Sequence, residues 1–326
     1  MTKITKRGVL YTGFKCNLNC IFCFNKNDKM PEFYKLKELK PRALKIKKIY
    51  SSSYVDLYGG EPTVYPEIIE LLEYLKKIGL KVSIATNGQK LHNIHFCRQL
   101  MNAGINDFLI SVHGPEKIHN MLTTSEKAYR CFIEAVNNFK KLKIPFRTNT
   151  VVNKYNYKEM QKLAVILSEI RPETCNFIMF NPFGKWTKKE LSEIAVSDIK
   201  TSKYLKDALE VLLSHNIKVN IRYLPFCFLK GYEKYVYNYA QMPYDPHEYD
   251  FASWFNDNSI KKEEDYYNCA QNINGLIYKK TGKCMACSVN LICGGLKKKL
   301  ISLNAGDEVP YKYNKIIKHP LYFKLK

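Results

Sequence analysis

The residues of this chain best suited to chemistry are its cysteines, and they are unevenly spread. Of eleven, three fall together as Cys16, Cys20 and Cys23 in CNLNCIFC, and three more as Cys284, Cys287 and Cys293 near the end, with Cys227 and Cys269 upstream of that second group. Clustered thiols in a chain with an odd number of Cys and no export signal point to metal rather than to a disulfide framework. Cys97, Cys131 and Cys175 stand apart in helical or strand patterns, where a buried thiol is the expected role. A 4Fe-4S cluster takes four thiolates. A loop offering three leaves one iron without a protein ligand, an open Lewis-acid position at which a substrate can chelate. A zinc site would show paired Cys-x2-Cys or His partners instead.

The elements that must position these thiols can be read from the apolar pattern. Short runs at 8–14, 54–61, 81–88, 107–114, 146–152, 175–182 and 218–225 alternate with amphipathic stretches such as PEIIELLEYLKKIG and AYRCFIEAVNNFKKLK. Gly79, Gly104 and Pro145 close helices, and Gly, Asn or Pro closes most strands. Six or seven such β/α units predict an α/β fold, a partial (β/α)6 barrel of the TIM type, with chemistry on the loops at the carboxyl ends of its strands. The first cysteine group follows the first strand directly. After about residue 225 the repeat gives way to a Tyr-rich segment and then to the second cysteine group, which predicts two domains: a core barrel over 1–225 and a smaller Cys-rich domain over 226–326.

The first group resembles the signature of the radical S-adenosylmethionine (radical SAM) superfamily, C-x3-C-x-aromatic-C, with Phe22 in the aromatic place. GGEP at Gly59–Pro62 follows the second strand, where that family keeps the turn that meets the methionine amino group. Two glycines there let backbone carbonyls approach an ammonium. The resemblance implies that Cys16, Cys20 and Cys23 hold a SAM-cleaving 4Fe-4S cluster, that Gly59, Gly60 and Glu61 hold methionine, and that Ser111 and Asn149, at the ends of the fourth and fifth strands, meet the SAM ribose and carboxylate. Arg130 or Arg147 is a candidate partner for that carboxylate, and His113 is either a further polar group at the mouth or a structural histidine. The implied reaction is reductive cleavage of SAM to methionine and a 5′-deoxyadenosyl radical that takes a hydrogen atom from a substrate, with an electron donor such as flavodoxin or ferredoxin as partner.

Cys284-x2-Cys287-x5-Cys293 resembles the auxiliary-cluster tails called SPASM and twitch, but Lys297 stands where the full pattern continues with Cys. Too few cysteines remain for two further clusters. One auxiliary 4Fe-4S cluster is therefore expected in preference to zinc, with Cys227, or alternatively Cys269, as its fourth ligand. The aromatic tract 232–255 either lines a substrate pocket or packs beneath this cluster. His92 and His95, three apart on one helix face, are expected to be a solvated surface.

Composition bounds the rest. With 326 residues, 46% hydrophobic and 25% charged, the chain supports an ordinary folded core, and no window approaches a membrane span or a signal core, so a cytoplasmic protein is the default. The net charge of +22 raises nucleic acid or an acidic leader peptide as partner, yet only seven of the 52 basic residues are arginine, the residue that grips phosphate in a fork. A peptide or protein side chain is the favoured substrate by analogy with auxiliary-cluster relatives. The first strand beginning near residue 8, with no leader-binding winged domain before it, weighs against that reading. Rivals are a small metabolite such as a sugar, nucleoside or lipid-linked compound, RNA modification, and an iron–sulfur scaffold without catalysis.

Overall fold

Each apolar run of the first two thirds forms a strand, and each amphipathic stretch after it returns the chain across one face of the sheet. The computed structural model describes residues 7–25, 30–49, 52–237, 275–319 and 322–324. Its main sheet has the order β1 (Arg7–Tyr11), β2 (Tyr54–Tyr58), β3 (Lys81–Thr86), β4 (Ile105–Ser111), β5 (Phe146–Val152), β6 (Thr174–Met179), β7 (Lys218–Arg222) and β8 (Val236–Tyr237), every neighbour parallel. The crossovers are α1 (Leu36–Ile49), α2 (Ile68–Lys77), α3 (Ile94–Ala103), the pair α4 (Glu116–Thr123) and α5 (Ala128–Leu142), α6 (Met160–Ile170), and the pair α7 (Lys188–Ile194) and α8 (Asp198–Ser214). An in-order parallel sheet with helices along its outer face is a barrel left partly open, as expected from the repeat.

The eighth strand was not foreseen. It is two residues long, lies past residue 225 in the Tyr-rich segment, and is held by Ile221↔Val236 and Arg222↔Tyr237. The sheet edge is thus built from residues that the sequence pattern assigns to the tail.

Alternation sorts each strand into an outward face against the helices and an inward face. Outward residues make the core: Leu57, Ile84, Phe108, Cys175 and Ile221 are buried beneath helices, and Phe108 stacks on Phe139 of α5 with centroids 4.6 Å apart. Helix ends are set locally: the Asn93 side chain accepts from His95 N–H and Phe96 N–H at the start of α3, and Gly104, at φ +116°, closes it. Inward residues at the amino ends of the strands form a charged floor. Arg7 holds Asp56, Arg147 donates to Asp107 and Ser83 at 2.8 Å each, and Tyr54 donates to Asp107.

The tail carries a two-stranded antiparallel ladder, β9 (Tyr278–Lys279) with β10 (Leu296–Lys297), and a short helical turn Gly282–Met285. It is tied to the barrel by a buried ion pair, Lys297 Nζ to Asp198 Oδ1 at 2.8 Å, each side chain 2% exposed. Tyr278 OH receives Asn181 Nδ2 at 2.7 Å, and Lys299 donates to the carbonyls of Pro182 and Gly184. No helix among the described residues is long and apolar enough to cross a membrane.

Candidate active site

The loop after β1 brings Cys16, Cys20 and Cys23 to the carboxyl end of the barrel. It is folded by its own backbone and by its neighbours. Cys23 N–H donates to Cys20 O, Ile21 N–H to Leu122 O at the end of α4, and Thr124 Oγ1 to Asn19 O. Leu18 N–H and Asn87 Nδ2 approach Cys16 Sγ at 3.5 and 3.7 Å. Burial raises the thiol pKa values of Cys16 and Cys20, to about 11 and about 12, with neighbouring cysteines adding to the shift. All three are half-buried and line one cavity of about 420 Å³ over the strand ends.

The GGE turn meets this loop backbone to backbone. Gly60 N–H donates to Gly13 O and Glu61 N–H to Lys15 O at 2.8 Å. A Cβ at Gly59 would collide with Gly13 O, and one at Gly60 with the carbonyls of Phe14 and Lys15. The glycines are therefore required for close packing of the turn on the root of the cysteine loop, a reason beyond the ligand approach that the sequence suggests. The Glu61 carboxylate is taken up within the protein: it accepts from Thr63 N–H and Oγ1, from Thr86 Oγ1 and from Asn87 N–H. Burial raises its pKa, and those donors act against the shift. Its side chain locks the ends of β2 and β3 in place beneath the cavity.

Ser111 and Asn149 are register partners across β4 and β5 and both line the cavity. Asn149 Oδ1 is a buried acceptor without a donor. Phe22 also lines it, edge-on to His113 with centroids 4.6 Å apart. His113 proves to be both a structural and a wall residue: its Nδ1 accepts Val151 N–H while its ring faces the cavity. Its backbone N–H donates to His119 Nδ1 at 3.1 Å, and burial lowers the pKa of both histidines, that of His119 to about 4.

Neither candidate arginine is at the cavity. Arg147 lies in the floor with Asp107, away from the mouth, and Arg130 is exposed on α5 with Glu134 at 3.8 Å. Neither lines the cavity. Sequence reasoning missed Arg222, Asn176 and Asn181, which do line it. The signal available for Arg222 was its place as last residue of a strand, in phase with the inward Asn220.

In the tail, Cys227, Cys284, Cys287 and Cys293 line one small void. Hydrogen bonds reach two of the sulfurs, from Thr281 Oγ1 to Cys284 at 3.5 Å and from Tyr311 N–H to Cys287 at 3.3 Å. Burial pushes Cys227 to about 12 and Cys293 to about 11. Among the described residues no three His, Cys, Asp or Glu side chains converge tightly enough to grip a single metal ion. Cys269 and residues 238–255 of the aromatic tract lie outside the described residues.

Residues 10–166 match the radical SAM superfamily. Over these residues the chain carries a radical SAM domain, and that superfamily uses a 4Fe-4S cluster and SAM. It is 27% identical over 171 residues to a probable GTP 3′,8-cyclase of Saccharolobus islandicus, covering 52% of this chain and 55% of that protein. It is 36% identical over 106 residues to a 7,8-dihydro-6-hydroxymethylpterin dimethyltransferase of Methanocaldococcus jannaschii, covering 31% and 21%. The chain thus spans little more than half the length of the first of these relatives, and about a fifth of the second. In fold it is similar to Streptococcus suis SuiB bound to S-adenosylmethionine, with a TM-score of 0.62 at 17% identity over 94% of this chain and 76% of that one. It is also similar to anSMEcpe with bound AdoMet, with a TM-score of 0.61 at 18% identity over 93% of each.

Proposed function

We propose that this protein is a radical SAM enzyme that cleaves SAM reductively and takes a hydrogen atom from a peptide or protein side chain. The observation that carries the reading is that the thiols of Cys16, Cys20 and Cys23 and the orphaned Asn149 carbonyl line one cavity. When bound, a 4Fe-4S cluster and SAM supply the one-electron chemistry that opens the sulfonium and delivers a 5′-deoxyadenosyl radical. The donor set fits: three thiols on one loop suit a cluster with one iron left open, and a buried acceptor without a donor suits a hydroxyl or amino group of the cofactor. Gly59, Gly60 and Glu61 form the methionine side of the cavity, Ser111 and Asn149 the ribose and carboxylate side, and Phe22 with His113 a wall that keeps water out.

In the tail, Cys227 rather than Cys269 completes a set of four with Cys284, Cys287 and Cys293, because all four already border one void. The likeness in fold to SuiB and anSMEcpe supports an iron–sulfur cluster there in preference to zinc. The domain reading is a core barrel that takes in β8 at Val236–Tyr237, followed by an auxiliary domain over the rest of the tail, with a flavodoxin or ferredoxin as electron donor.

Peptide chemistry is supported by the likeness in fold to SuiB, also solved bound to precursor peptide SuiA, and to anSMEcpe, also solved with a Kp18Cys peptide. A small metabolite is the second reading, supported by the relatives named for GTP and for a pterin. Anaerobic reconstitution tests the proposal. About eight irons per chain and 5′-deoxyadenosine formed with SAM and dithionite are expected. A correctly loaded protein that forms none overturns it.

A further inference from the structure

Exposed apolar side chains are gathered in the tail. Among the described residues of the barrel no large apolar side chain is more than 45% exposed, whereas Leu276, Met285, Leu291, Val309 and Ile316 in the tail all exceed that. Single apolar residues on a surface mean little, but a gathered set marks a contact. Three of the five sit on loops that carry or border the four thiols. Met285 lies between Cys284 and Cys287. Leu291 follows Asn290, which borders the void and donates from Nδ2 to Met285 O at 3.4 Å. Val309 lies between Glu308 and Pro310, both on the border of the void. Lys283 Nζ donates to Gly306 O at 2.6 Å and so ties the Met285 turn to the loop that leads into Val309. Cys284 is itself only half-buried, so this surface stands close to a thiol.

The charge here is one-sided. Residues 275–326 hold eleven lysines and no arginine against two acids, Asp307 and Glu308, a far more basic balance than the 52 to 30 of the whole chain. Glu308 is buried and Lys297 is taken up by Asp198, while Lys283, Lys312 and Lys315 are exposed on the same loops as Met285 and Val309. An apolar centre with a basic rim suits an acidic protein partner.

We propose that this surface is the docking site of a small acidic one-electron carrier protein, which delivers its electron to the tail cluster. The inference rests on the radical SAM reading with a four-thiol auxiliary cluster, which puts a one-electron acceptor beside the patch. In the step the carrier is oxidised by one electron and the tail cluster is reduced by one, and no bond is made or broken. Electron-transfer encounters are among the smallest protein contacts, so a few apolar side chains with a lysine rim suffice. The net charge of +22 steers an acidic carrier toward the chain before contact.

The test uses the full chain with its clusters loaded and an acidic plant-type ferredoxin as probe. Binding is followed by calorimetry and reduction of the tail cluster by EPR, for wild type, the double variant Leu291→Glu with Val309→Glu, Lys283→Glu, and the barrel-surface control Val165→Glu. Ferredoxin is expected to bind wild type and the control equally and to weaken at least tenfold in both patch variants. Its binding to wild type is expected to weaken as salt rises from about 0.01 to about 0.1 M, over which the Debye length falls from about 30 to about 10 Å. Dithionite needs no docking site, and is expected to reduce the tail cluster equally in all four proteins, which shows the variants to be intact. No binding by wild type, equal binding by the patch variants, or loss of dithionite reduction in step with binding overturns the inference. A wild-type dimer seen by sedimentation and lost in the double variant also overturns it, since a second copy would then cover the patch. Iron is counted in every preparation. About four irons per chain in wild type would sink the auxiliary-cluster reading, whereas full loading with no ferredoxin bound sinks the docking inference alone.

Discussion

The two cysteine groups share an element and differ in how the chain surrounds it. The first is a strand-end loop whose three thiols open on a cavity of about 420 Å³ shared with the polar ends of the neighbouring strands. The second sets four thiols around a small void, with hydrogen bonds from Thr281 and Tyr311 to two of them. An incomplete ring beside a large cavity admits an external ligand, whereas a complete ring around a small void shuts one out. The contrast teaches that ligand count together with adjoining volume, rather than the presence of cysteine, separates a site for chemistry from a site for structure or electron storage.

The sharpest way to break the contrast is to remove one thiol from each. Cys20→Ala is expected to reduce 5′-deoxyadenosine formation to background. Cys287→Ala is expected to leave measurable SAM cleavage while product from the substrate is lost. Equal loss in both would make the tail site purely structural.

A smaller effect concerns the join between the regions. Lys297 and Asp198 form a buried ion pair between the tail and α8. Lys297→Ala leaves Asp198 charged and buried, and is expected to cost about 3–5 kcal/mol in chemical denaturation. Lys297→Met with Asp198→Leu is expected to recover part of that stability, since no unpaired charge is then left buried.

The smallest effect is electronic. Thr281→Val removes the hydroxyl beside Cys284 Sγ and is expected to move the tail cluster to a more negative reduction potential, because hydrogen bonds to sulfur stabilise the reduced state. Redox titration followed by EPR reads it. An unchanged potential would mean that the hydroxyl turns away once the cluster is bound.

What the sequence made legible follows from range of interaction. The seven longer strands are announced by apolar runs ending in Gly, Asn or Pro, whereas β8 has only two residues and owes its place to β7, so no local pattern marks it. The cysteine loop and the GGE turn are contiguous motifs and stand out at once. Depth within the barrel is harder. Arg147 and Asn149 share an inward face of β5, yet two residues along a strand is a difference of about 6.6 Å, enough to put one in the floor and the other in the cavity. Period reveals the face and not the level. Arg222 escaped notice for the complementary reason: nothing in KVNIRYLP distinguishes an arginine aimed inward from one on the surface until the strand's neighbours are known.

The floor itself has a consequence for traffic. Arg7, Asp56, Asp107 and Arg147 interlock across the amino ends of the strands, so the tube is corked at its base. Traffic to the interior is therefore turned away from the base, toward the end of the barrel where the cysteine loop stands.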